Sequence, residues 1–194
     1  MIAYIQGKLT FKCPTYVLLE TGGIGYHIHI SLNTYSQLPT DEHCKLYTHL
    51  HIKEDAHTLY GFAEEGEKRL FRHLISVSGI GPNTGRMILS SISPADIHQA
   101  IIKGDVPLIQ RIKGIGPKSA QRLILELKDK LKKDGPDSLF SAPANNTAKD
   151  EALSALVTLG FAKNIAEKAL DNAIGSESTA LSVEQLIKIA LKSI

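Results

Sequence analysis

The chain has 194 residues, a hydrophobic fraction of 43% and a net charge of +2, which suits a globular protein of one large or two to three small domains. No apolar run approaches a membrane span, and Met1 to Gly7 has no basic stretch before an apolar one, so neither a membrane helix nor a secretory signal is expected. Cys13 and Cys44 form no CxxC or zinc spacing and read as two reduced thiols of a cytoplasmic protein.

Residues 1–62 read as five strands: Ile2 to Phe11, Tyr16 to Glu20, Tyr26 to Ser31, Lys45 to Ile52 and Thr58 to Phe62. Cys13-Pro14, Gly22-Gly23 and Pro39-Thr40-Asp41 separate them as turns. Five short strands in so few residues predict a small barrel of the OB-fold type, a common nucleic-acid platform. Gly22-Gly23-Ile24-Gly25-Tyr26 lacks the GxGxxG spacing and no helix follows, so it reads as a hairpin. His27 and His29 share one strand face, as do His49 and His51. No Cys or carboxylate stands at helpful spacing, so these histidines read as a sheet surface and no metal is expected. Lys53-Glu54-Asp55-Ala56-His57 reads as the exposed tip of a hairpin with two adjacent carboxylates. Near DNA, Glu54 and Asp55 would repel phosphates.

From Glu64 the hydrophobic period becomes helical. Leu70, Phe71, Leu74 and Ile75 mark a first helix, and a second runs from Pro82 to about Ile92. Ser93, Pro94 and Asp96 supply the N-cap, first position and acidic third position of the next helix, which ends near Gly104. Asp105 caps a short helix to Ile112, and a long helix runs from Pro117 to about Lys132.

The helical segment contains a repeat. Gly79-Ile80-Gly81-Pro82 returns 35 residues later as Gly114-Ile115-Gly116-Pro117, and the apolar positions around it also match: Val77 with Ile112, Ile88 with Leu123. Glycines allow a turn with positive φ, and proline suits the first helical position. Helix, glycine hairpin, helix leaves backbone N–H groups pointing outward at a helix N-terminus, a favourable place for a phosphate. Packing alone would account for one such turn. Two copies, the second followed by Lys118, Ser119 and Arg122, point to nucleic-acid backbone binding. Charge agrees: residues 64–133 carry a net +6, against −1 for residues 1–63, −2 for 134–147 and −1 for 148–194.

Residues 134–147 (DGPDSLFSAPANNT) read as a linker. Beyond it, Thr147 and Asp150 cap one helix, Leu159-Gly160-Phe161 turns the chain, a second helix runs to about Ala173, and Ser182 with Gln185 caps a third. This near-neutral three-helix bundle resembles ubiquitin-associated-type domains and reads as a protein-docking module. The fold class is therefore multidomain α+β. Its parts are a barrel with an acidic tip (1–63), tandem helix-hairpin-helix units (64–133), a linker (134–147) and a three-helix domain (148–194).

That combination resembles the bacterial RuvA family along the whole chain. The most specific pieces are Gly22 to Tyr26, Lys53 to Ala56 with Leu59-Tyr60-Gly61-Phe62, and the two Gly-Ile-Gly-Pro turns, the second continuing as Lys118-Ser119-Ala120-Gln121-Arg122-Leu123. The resemblance implies a homotetramer, singly or as two tetramers, that holds a four-way (Holliday) junction open and planar. It implies recruitment of the hexameric RuvB ATPase through residues 148–194, with the RuvC resolvase in the same complex. By this likeness Glu54 and Asp55 match the acidic pin. Gly79, Gly81, Gly114, Gly116, Lys118, Ser119 and Arg122 match the phosphate-binding hairpins. Asn83 stands where family members often carry lysine, and Arg86, one turn on, is the candidate to supply that charge.

No cofactor is expected, and no GxxxxGK[ST] loop occurs, so motion would come from the partner. Two rival readings are weaker. A helix-hairpin-helix DNA glycosylase would use Lys118 with an aspartate such as Asp137, but Asp137 lies in the linker-like stretch and the helices of a base pocket are missing. A general single-strand binder built on the barrel is disfavoured by the net −1 of residues 1–63.

Overall fold

A computed structural model of the protein describes residues 2–39, 43–134, 148–175 and 181–193. The expected turn at Thr40-Asp41, nearly all of the expected linker, the capping role of Thr147 and the rival site at Asp137 lie outside the described residues. The chain divides into two compact units, Met1–Ala142 and Pro143–Ile194.

Five strands open the first unit: β1 (Tyr4–Lys12), β2 (Tyr16–Thr21), β3 (Ile24–Ile30), β4 (His43–Ile52) and β5 (His57–Phe62). They close into a barrel in the order β1-β2-β3-β5-β4, with β3 and β5 parallel and every other pair antiparallel. Alternation decides the inward face: Ile5, Val17, Leu19, Ile28, Ile30 and Leu46 are buried in the barrel core. The β2–β3 turn holds Gly22 and Gly23 at φ +57° and +79°. Two successive positive φ values are what a two-residue hairpin needs, so the glycine run is a hairpin, as its spacing predicts.

A short helix absent from the sequence reading, α1 (Leu32–Gln37), links β3 to β4. Ser31 caps it, its Oγ accepting the Thr34 N–H at 3.0 Å. Six residues with Thr34 as the buried one carry no apolar stripe, so periodicity could not reveal it.

The helical part comprises α2 (Glu65–Ile75), α3 (Pro82–Ser91), α4 (Pro94–Lys103), α5 (Val106–Gln110) and α6 (Pro117–Asp134). The expected caps are formed: Ser93 Oγ accepts the Asp96 N–H at 3.1 Å, Asp105 Oδ1 accepts the Leu108 N–H at 3.0 Å, and Gly104 ends α4 at φ +78°. Its core includes Leu70, Phe71, Leu74, Ile88, Leu123 and Leu127, and also Tyr60 and Phe62 from β5. The last barrel strand thus supplies part of the helical core, and barrel and helices form one body.

Polar contacts reinforce this junction. Glu67 on α2 is 1% exposed and accepts hydrogen bonds from Ser31 Oγ at 2.5 Å and Thr34 Oγ1 at 2.7 Å. The Thr34 hydroxyl in turn accepts the Ala63 N–H at 3.1 Å. Burial pushes the Glu67 carboxyl above its ordinary pKa, against the lowering effect of its donors.

The second unit contains α7 (Ala148–Thr158), α8 (Lys163–Gly175) and α9 (Val183–Ser193) around Ala152, Leu156, Ala166, Leu170, Leu186 and Ala190. Gly160 turns the chain at φ +101°, and the Phe161 N–H closes the end of α7 on Leu156 O at 3.1 Å. Ser182 and Gln185 form the reciprocal capping box that their spacing predicts, at 3.0 and 3.3 Å.

Candidate nucleic-acid interface

The two hairpins are built alike. Gly79 and Gly114 take φ +90° and +89°. The Ile80 N–H closes on Val77 O at 3.0 Å and the Ile115 N–H on Ile112 O at 3.1 Å. Ile80 and Ile115 are buried, so each corner is pinned by an apolar side chain between two exposed glycines. Helices α3 and α6 follow at once, their first ladder bonds running from Gly85 N–H to Gly81 O at 2.9 Å and from Ala120 N–H to Gly116 O at 3.0 Å. The N–H groups of Asn83 and Thr84, and of Lys118 and Ser119, stand in first turns with no intrahelical acceptor. No side chain caps α3.

The glycines divide into two kinds. Gly79 and Gly114 are required by their positive φ. Gly81 and Gly116 lie outside the positive-φ set, and a Cβ built on either would meet no atom within 4 Å. Nothing inside the protein demands glycine there. At Gly85, by contrast, a Cβ would come within 3.1 Å of Ile75 and 3.2 Å of Phe71, a packing glycine in the ordinary sense. Packing therefore explains Gly85 and does not account for Gly81 or Gly116.

The side chains around the two corners differ. Beside the second, Lys113, Lys118 and Arg122 are exposed and Ser119 is half-buried. Arg122 Nε lies 3.7 Å from Glu126 Oε1, a solvent-exposed pair of small energetic weight that leaves the guanidinium available. Beside the first, Asn83 Oδ1 accepts the Tyr60 hydroxyl at 3.4 Å. Arg86 turns toward the barrel, where Nη1 donates to Thr15 O at 2.8 Å and stands 3.4 Å from His29 Nδ1. Its charge therefore sits against the barrel rather than at the start of α3, where the sequence makes it the candidate to stand in for a lysine. Sequence reasoning missed this tie between residues 71 apart.

At the β4–β5 connection, Glu54 and Asp55 are exposed on a four-residue loop. The Lys53 N–H donates to Ala56 O at 2.8 Å, and Ile52 pairs with His57 below it. Two carboxylates on a short, closed turn form a compact negative tip at the end of the β4–β5 hairpin.

The strand histidines are packed surface residues. Rings of His27 and His29 lie 4.8 Å apart, and His49 lies 5.5 Å from Phe71. Burial lowers the pKa of His29, helped by Arg86 and His27, and lowers that of His49, helped by His51, Arg72 and Lys68. Among the described residues no group of three His, Cys, Asp or Glu side chains could hold a metal, and no helix is long and apolar enough to cross a membrane.

Comparison with known proteins covers nearly the whole chain. Residues 1–61 match the family described as RuvA N terminal domain, residues 71–129 the SAM-like helix-hairpin-helix tandem, and residues 147–194 the RuvA C-terminal domain. A protein of Cytophaga hutchinsonii called Holliday junction branch migration complex subunit RuvA is 55% identical, over 99% of both chains. Proteins bearing the same description from Flavobacterium psychrophilum and Christiangramia forsetii are 54% and 51% identical, each over 100% of both chains.

Proposed function

The chain belongs to the RuvA family, and from that premise we propose that it is the junction-binding subunit of a branch-migration complex. It binds four-way junction DNA, holds it open and leaves the work of movement to a partner ATPase of the RuvB type. The observation that carries this reading is the pair of unexplained glycines. Gly81 and Gly116 keep two helix N-termini bare, as close approach of a phosphodiester requires.

In this mechanism Gly79, Gly81, Gly114 and Gly116 present backbone N–H groups to duplex phosphates. Lys118 and Arg122 add charge at the second corner, and Ser119 adds a hydroxyl. Asn83 offers an amide at the first, with Arg86 behind it. Such contacts position DNA without reading bases, so shape sets specificity. Glu54 and Asp55 face the crossover and repel phosphates there, which favours separated strands. The protein is non-catalytic: it supplies grip and geometry. Residues 148–194 dock the motor, a role supported by their separate fold and by exposed Val157 and Leu159 at the end of α7. Each tetramer brings eight hairpins and four tips to the junction, with one or two tetramers and a resolvase of the RuvC type in the full complex.

Gel-shift titration of a synthetic four-way junction against linear duplex tests this reading, with particle mass measured in the same sample. The expected result is strong preference for the junction and a log K that falls with log salt by about 0.9 per phosphate neutralised. Equal affinity for both DNAs, or a flat salt response, would refute it.

A further inference from the structure

Helix α3 meets the barrel through one stripe of polar side chains. Asn83, Arg86 and Ser90 stand three and four residues apart, so they share a face of the helix. Each has a partner on or beside the barrel. Asn83 Oδ1 lies 3.4 Å from the Tyr60 hydroxyl of β5. Arg86 Nη1 donates to Thr15 O, between β1 and β2, at 2.8 Å and stands 3.4 Å from His29 Nδ1 on β3. Ser90 Oγ accepts the Leu32 N–H, at the start of α1, at 3.0 Å and donates to Arg86 O at 2.8 Å. The other side of α3 is apolar: Ile88 and Leu89 are buried in the helical core, and Gly85 lets Phe71 of α2 come close.

The internal repeat supplies a comparison. In the second copy the same stripe of α6 reads Lys118, Gln121 and Leu125, and all three are exposed, Leu125 at 79%. The second hairpin thus turns this face and its lysine outward, whereas the first turns it to the barrel. The consequence is a different demand on each corner. Charge attracts over several ångströms, so Lys118 and Arg122 tolerate a loose fit. A backbone N–H bond weakens steeply once its angle is lost. The first corner lacks the lysine and relies on N–H groups, so its direction matters more. Arginine suits the task of fixing it, because a planar head with several donors can meet two acceptors at once.

We propose that Arg86 and Ser90 are positioning residues for the first hairpin, fixing the Asn83 and Thr84 N–H groups relative to the barrel and the acidic tip it carries. The inference rests on the junction-binding reading and gives Arg86 its task within it: the guanidinium acts through α3 and not on a phosphate. Ser90 completes the tie one turn further on, where its hydroxyl links the Arg86 carbonyl to α1. The two copies of the repeat therefore work differently, the second by charge and the first by direction.

The test is a mutant cycle in the full-length protein, read as four-way-junction affinity across a salt series, with linear duplex as reference. Arg86→Ala is made alone, with Gly81→Ser, which blocks the first corner, and with Gly116→Ser, which blocks the second. Alone it should weaken junction binding up to about tenfold, the scale of one hydrogen bond to a charged group. Its salt slope should stay as in wild type, because no cation leaves a phosphate. On the Gly81→Ser background the further loss should shrink to about twofold or less, and on the Gly116→Ser background it should appear in full. A slope lowered by about 0.9 per contact would make Arg86 a phosphate ligand and overturn the proposal. Equal losses on both backgrounds would overturn it too, by showing a general loosening of the fold, as would wild-type affinity in Arg86→Ala. Should Arg86→Ala shift the melting temperature or the particle mass, Ser90→Ala, which keeps every charge, decides in its place: the same pattern supports the tie and wild-type affinity refutes it. If wild-type protein fails to prefer the junction over linear duplex, it is the junction-binding reading that fails.

Discussion

Serine in place of Gly81 or Gly116 separates stability from binding. Serine is a better helix N-cap than alanine and matches glycine or improves on it, and there is open space for its side chain at both corners. Its hydroxyl would occupy one of the first-turn N–H groups. Gly81→Ser and Gly116→Ser are therefore expected to leave the melting temperature unchanged or slightly raised. Each should still weaken junction binding about tenfold, the scale of losing one hydrogen bond to a charged group. Thermal unfolding and gel shift on the same preparations check both halves. The tip makes the opposite demand. Changing Glu54 to Gln and Asp55 to Asn removes two exposed charges and no packing, so junction affinity should hold or tighten while partner-driven migration changes. Abolished binding in that double variant would sink the repulsive role. The glycine repeat was legible in sequence because positive φ and helix starts restrict residue type so strongly. The side-chain direction of Arg86 was not, because its partner Thr15 lies 71 residues away and no local pattern encodes that meeting.

Among the elements, α2 decides how barrel and hairpins are held together. Glu67 reads in sequence as one more polar residue of an amphipathic helix, yet it is the buried partner of Ser31 and Thr34. That contact depends on α1, which periodicity also missed. The same reason hid the shared core: Tyr60 and Phe62 alternate as strand residues should, but their outer face is covered by helices rather than by water. The five strands and the helix caps were legible because alternation and capping are local. The barrel–helix seam is long-range and was not. A pH test follows from the seam. The raised pKa of Glu67 means the folded state keeps that proton to higher pH than the unfolded chain does. Its contribution to stability is thus greatest below the unfolded pKa and is lost as pH rises toward the folded one. His29 and His49, with lowered values, contribute stability above the unfolded imidazole pKa that is lost as pH falls. The two trends oppose each other. Glu67→Gln removes the first, so the gain in stability as pH falls toward the ordinary carboxylate range should disappear and the histidine trend alone should remain. Denaturant unfolding at several pH values reads this directly, and an unchanged profile would show that Glu67 does not titrate with folding.

For the whole molecule, the division at Ala142 and Pro143 separates two self-contained cores. Deleting residues 148–194 is expected to leave junction affinity and its salt slope unaltered and to end ATPase-driven migration. Loss of junction binding in that truncation would place DNA contacts in the second unit and contradict the charge distribution, which puts the net +6 on residues 64–133. The succession of strands, then basic helices, then near-neutral helices was readable from periodicity and charge together.

The closure of the β4–β5 loop has a consequence for how such a machine can vary. The Lys53–Ala56 bond and the Ile52–His57 pair seal the loop from the barrel below it. Because side chains alternate with a period of two, adding two residues to each arm would move the carboxylates outward by roughly 6.6 Å and leave every barrel register untouched. The reach of the negative tip is thus an adjustable length, set by an extension that can grow or shrink while the two glycine corners stay where they are.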